Sequence, residues 1–241
     1  MVVRTVVQHG PKGKKVAAFA IDWPGWSRGA KTPDVAVELL EAYRERYRPI
    51  ARIAGLEDEF DLAGRLQVVE DHVGVGSTDF WGISFAPSSF EQGPMPEDEL
   101  ERKLALLEAS WRFLDDVAAR VSPDLQKGPR GGGRNRDEIV RHVIANEWGD
   151  LAQKVGVTPP RDMDAPAAVR SHREAYVAAM REYNAQGRLG RGRNWTIPLL
   201  LRHTAFHVLD HAWEMEDKDP LGRSVSPVRR FRARTVRILT R

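Results

Sequence analysis

The 241-residue sequence contains no cysteine. Disulfides, thiolate metal ligands and a cysteine nucleophile are therefore excluded; any metal must be held by histidine and carboxylate, and any thiol must come from outside. Long hydrophobic runs are missing too. Nowhere do about 18 consecutive apolar residues occur, and no apolar segment follows a basic start in Met1–Gly10. The expectation is a cytoplasmic chain with no membrane partner. The His-Glu-x-x-His signature of familiar metallopeptidases is absent, and the glycine loop Lys127–Arg134 lacks the strand and the Lys-Ser/Thr ending of a phosphate loop. Acid is missing from the C-terminus: seven arginines between Arg223 and Arg241 meet none, and removing them from the net +3 leaves −4 for the remainder. The basicity belongs to a tail, residues 220–241, so nucleic acid is expected to make at most a weak contact there.

What is present divides by periodicity. Val2–Gln8 and Lys15–Ile21 are short Val/Ala/Phe runs around the turn His9–Gly13, which reads as a hairpin. Thr32 is placed to cap a helix running to about Ala54, after the loop Asp22–Lys31; Arg65–Val73 and Phe80–Phe85 read as two more strands. Ala86–Asp98 is rich in Pro, Ser and Gly and reads as a linker, after which the apolar period becomes helical. Helices are expected over Glu97–Val121, from Asn135 to about Lys154, over Ala167–Tyr183, and from Asn194 or Thr196 to Asp219. Asn135 with Glu138 has the form of a capping box. His172, among Arg170, Arg173 and Glu174, reads as exposed. The fold class expected is α+β in two domains: a small sheet-plus-helix unit at 1–95 and a four-helix bundle at 96–219.

Three of the seven histidines fall within nine residues of the last helix: His203, His207 and His211. Residues four apart share one helix face, so they form a ridge, with Asp210 and Glu214 beside it. Such a ridge is either the solvated face of an amphipathic helix or part of a metal shell. The apolar residues around it, including Leu200, Phe206, Leu209 and Trp213, point to burial, and buried imidazoles need partners from elsewhere in the chain. His142 on the second bundle helix is either a core histidine or that partner. At about 1.5 Å of rise per residue, it meets His207 and His211 only if the second and fourth helices run antiparallel. The twelve-residue connection Val155–Pro166 is long enough for the required crossover, giving an up-down-down-up order.

Two resemblances refine these expectations. Phe19-Ala20-Ile21-Asp22-Trp23-Pro24-Gly25, then Gly29, Thr32 and Ala36, resembles the strand, turn and helix start of HicB-like domains. It implies a sheet-plus-helix module with a structural or partner-contact role. Ile139–Trp148 together with His207–Asp217 resembles the two motif helices of the DinB-like metalloprotein superfamily, over about half the chain. That resemblance implies an up-down-down-up bundle and a divalent metal, zinc or nickel, on His142, His207 and His211, with His203 as an alternative ligand. Asp210 and Glu214 then become groups that orient imidazoles or act as general base. The implied activity is that of an enzyme using a low-molecular-weight thiol, an S-transferase or isomerase, on a small-molecule substrate. Arg130, Arg134, Arg191 or Arg193 would hold an anionic part of thiol or substrate. A metal-dependent hydrolase and a non-catalytic stress or regulatory protein are the alternatives, and a homodimer is compatible with either.

Overall fold

The computed structural model describes residues 2–128, 132–160, 165–192 and 195–222; Arg130, Arg193 and the arginine tail from Arg223 lie outside the described residues. The architecture is mixed α/β, with one four-stranded sheet and eight α-helices among the described residues. β1 (Val3–His9) and β2 (Val16–Ala20) form the expected antiparallel hairpin, in register from Thr5 opposite Ala20 to His9 opposite Val16. β3 (Ser27–Ala30) lies inside the stretch expected to be a loop. Being a four-residue edge strand of Ser, Arg, Gly and Ala, it carries no alternating apolar signal, and backbone pairing to β2 alone defines it.

The helix expected over residues 32–54 is divided at Tyr43 into α1 (Pro33–Ala42) and α2 (Arg44–Ile53), followed by α3 (Glu57–Leu62). α1 packs on β2 and β3. The Trp26 indole donates to Leu40 O at 2.8 Å, the Tyr47 hydroxyl donates to Pro24 O at 2.8 Å, and Phe60 packs on Trp23, Trp26 and Tyr47. β4 (Leu66–Val73) closes the order β3-β2-β1-β4, parallel to β1.

Phe80–Phe85 is not a strand. α4 (Gly76–Trp81) takes its first residues and ends at Gly82, whose φ of +72° suits glycine. The aromatic β-propensity yields to an anchor, because the Asp79 carboxylate accepts the backbone N–H groups of Lys12 and Lys14, each at 2.8 Å.

Beyond lie α5 (Glu97–Arg120), α6 (Arg136–Asn146), α7 (Pro166–Ala185) and α8 (Ile197–Lys218). The capping box opens α6 as expected, with the Asn135 N–H donating to Glu138 Oε2 at 2.7 Å. After Asn146 the helix widens into a π turn, Glu147–Leu151, and tightens into a 3₁₀ turn, Ala152–Val155. The C-terminal ends of α5 and α8 meet: Arg120 pairs with Glu216, and Gln126 N–H reaches Lys218 O at 2.8 Å. α7 is tied to α5 by Arg181 with Glu101 at 2.6 Å and Arg173 with Asp115 at 3.8 Å. His172, expected at the surface, is buried with Tyr176, Met180 and Tyr183 one to three turns along the same face of α7.

The segment expected to be a linker is packed down. Its Glu91 is 2% exposed and bonds Arg202 of α8 at 2.6 Å. One apolar cluster runs from Val3 in β1 to Met215 in α8. The Trp23–Trp26 turn presses directly on α8: a Cβ on Gly25 would stand 2.7 Å from Leu209 Cδ1 and 3.0 Å from the Ala205 carbonyl carbon, at a φ of +90°. Gly25→Ala is therefore expected to destabilise by about 1–3 kcal/mol, from the unfavourable φ and the clash together, read as a lower denaturation midpoint at unchanged m-value. An unchanged midpoint would show that the turn stands off the helix.

Candidate metal centre

α6 and α8 bring three imidazoles to one point. The ligating nitrogens available on His142, His207 and His211 lie within 4.8 Å of one another, and the three residues are half-buried. Ring centroids are 5.2 Å apart for His142 and His207, and 4.8 Å for each of the other two pairs. Thr196 starts the carrying helix by accepting the Leu199 N–H, with Pro198 in the first turn, where its missing donor costs nothing. The i,i+4 ridge then delivers His207 and His211 to the face that meets α6.

The electrostatics keep these nitrogens available. Burial, with the neighbouring His211, His203 and His142 and Arg134, lowers His207 to about 3, and burial with His211 lowers His142 as well. Neutral imidazole is the form that donates a lone pair to a metal. His211 Nδ1 donates to Glu214 Oε2 at 2.7 Å, which leaves its Nε2 free to face the other two rings. Glu214 is held near pKa 2 by that bond and by Lys218, which pairs with its other oxygen. A carboxylate so held orients His211 and is a weak base. Three histidines without carboxylate or thiolate form a donor set that could hold a divalent metal ion, and three protein ligands leave a position for water or substrate.

The other residues marked in the sequence separate from this point. His203 stands outside the trio, 8% exposed, its ring against Phe85 at 4.7 Å and Trp195 at 5.6 Å; burial lowers it to about 4. Asp210 is taken by Arg28 of β3 at 2.7 Å, and that guanidinium lies 3.7 Å over Tyr43 and 4.4 Å over Trp213. Arg134 is exposed, and its charge acts on both His142 and His207, so it borders the site. Arg191 instead joins Lys154 O through its backbone at 2.6 Å. Two residues escaped the sequence reading. Lys218 was legible in principle, standing four positions after Glu214 on one helix. Arg28 gave no signal, because its partner is 182 residues away.

His203 and His207 make metal-free stability pH-dependent with a definite sign. Their folded values of about 4 and about 3 lie below the ordinary 6.5, so the unfolded chain binds protons that the folded chain refuses. Stability should fall as pH drops from 6.5 towards 3, seen as a declining urea midpoint. A flat midpoint over that window would contradict the burial of these rings. Among the described residues no helix is long and apolar enough to cross a membrane. Comparison of the chain with protein-family models, curated proteins and solved structures finds no match.

Proposed function

We propose that this chain is a metal-dependent enzyme of DinB-like type, acting as a thiol-dependent S-transferase or isomerase on a small electrophilic substrate. The observation that carries the reading is the convergence of His142, His207 and His211 from two helices on one half-buried point. The meeting of the C-terminal ends of α5 and α8, and of α6 with α8 at the histidines, supports an up-down-down-up bundle.

A divalent ion held by His142, His207 and His211 would supply Lewis acidity, favouring the deprotonated form of a thiol or water beside it. The chain's own groups do the remaining work. His142, His207 and His211 would hold the ion, while Glu214, braced by Lys218, fixes the His211 ring. Arg134, at the edge of the trio, attracts an anionic part of thiol or substrate. In the transfer the S–H bond breaks, its proton leaves to solvent, a sulfur–carbon bond forms, and the electrophile's leaving group departs with the bonding pair. With no cysteine in the chain, the sulfur is a substrate's own.

The test is turnover of an electrophile panel by zinc-loaded or nickel-loaded protein, with and without a low-molecular-weight thiol. Loss of electrophile requiring both metal and thiol supports the transferase reading. Turnover with metal and water alone assigns the site to hydrolysis. Turnover under neither condition, with metal changing only the melting temperature, makes the centre structural.

A further inference from the structure

We propose that the groove between α5, α6 and α7 is a second binding site, for a single-chain amphiphile with an anionic carboxylate head. The groove encloses about 1070 Å³, at the upper end of ordinary small-ligand sites. Trp111 forms its floor on α5; Val140 and Ile144 make one wall on α6; Val169 and Val177 make the other on α7. None of these is a metal ligand. Val140 and Ile144 each stand two positions from His142, about 200° around the helix, so α6 turns one face to the histidines and the opposite face to the groove.

The charges fix the head group. Three of the groove's arginines meet carboxylates of the same groove: Arg112 with Glu108 at 3.9 Å, Arg136 with Asp137 at 2.7 Å, and Arg173 with Asp115 at 3.8 Å. Arg141 and Arg170, one on each wall, make no ion pair among the described residues; Asp137, already paired with Arg136, also feels the Arg141 charge, and Glu174 is the lining carboxylate outside the three pairs. The unpaired charge at the mouth is therefore positive, above walls that are mostly apolar. Arg173 adds to the floor's fit. Its guanidinium lies 5.0 Å over the Trp111 ring, and it meets buried Glu147 at a loose 3.4 Å, so the fork is not saturated by the protein. Along α5 the lining runs from Glu108 to Ala119, about 16 Å of helix, a span that suits a medium-length alkyl chain. An anionic head between Arg141 and Arg170 with its tail over Trp111 satisfies both features. A cationic or uncharged head leaves the two arginines unmatched.

Titration calorimetry of the full-length protein with dodecanoate, below its micelle concentration, tests this against dodecyltrimethylammonium as the cationic control. Saturable binding of dodecanoate is expected, with the cation much weaker. Arg141→Gln and Arg170→Gln should each weaken dodecanoate about tenfold. Ile144→Trp, and separately Val169→Trp from the opposite wall, should fill the groove and abolish binding, while far-UV circular dichroism and metal content stay at wild-type values. The proposal is overturned if dodecanoate does not bind, if the cation binds equally well, or if both folded tryptophan variants bind as wild type. Because metal content is read separately, failure here leaves the histidine centre untouched.

Discussion

His142→Ala and His207→Ala should each yield folded protein without metal, where the wild type is expected to hold about one divalent ion per chain. The two residues come from different helices, so loss in both variants requires that α6 and α8 converge as the rings do, with centroids 5.2 Å apart. Each substitution removes one of three ligands, and its effect on affinity should exceed the about 10–100-fold expected of Glu214→Gln, which only frees the His211 ring. That ordering separates a coordination site from a polar helix face. If His142→Ala kept its metal while His207→Ala lost it, the ion would sit on α8 alone. Elemental analysis of untagged protein, with circular dichroism as the check on folding, reads both results. His203→Ala should keep the metal, since its ring stands in an aromatic box with Phe85 and Trp195.

The second large effect lies away from the histidines. Glu91 and Arg202 form an ion pair whose side chains are only 2% and 5% exposed, and the guanidinium stacks 3.8 Å over Phe19 of β2. Burial alone would raise the Glu91 carboxyl; Arg202 and Ser88 hold it below its ordinary value instead. Removing one partner strands the other's charge in the interior, so Glu91→Leu or Arg202→Met should each cost about 3–5 kcal/mol. For a chain of this size that is roughly 6–20 °C in melting temperature. The double variant should recover most of the loss, because neither charge then remains to be desolvated. Additive losses in the double variant would mean that the two residues act through separate contacts.

Features set by local periodicity were legible in the sequence: the β1–β2 hairpin, the apolar face of α5, the Asn135–Glu138 capping box and the histidine ridge of α8. The four-residue spacing gave a ridge of three histidines, His203, His207 and His211; the choice of His207 and His211 with His142 came from the resemblance to the DinB-like motif helices. What escaped depends on tertiary contacts. Nothing in Ser27–Ala30 announces an edge strand, and nothing near Phe80 announces that Asp79 will be held by the backbone of Lys12 and Lys14. His172 looked exposed because three neighbours in sequence are charged, yet helical spacing groups it with Tyr176 and Met180. The pairing of Asp210 with Arg28 likewise left no trace in either residue's own surroundings.

That last contact bears on the order in which the molecule can be completed during synthesis. Arg28 leaves the ribosome early and must wait 182 residues for Asp210. Until α8 emerges, the guanidinium lacks both its carboxylate and the Trp213 ring, and the turn at Gly25 has no helix beneath it. The sheet can pair beforehand, but its final packing is gated by the last helix, the same one that carries His207 and His211. Long-range closure of this kind is slow compared with helix formation, so the histidine centre and the finished N-terminal core should mature in one late step.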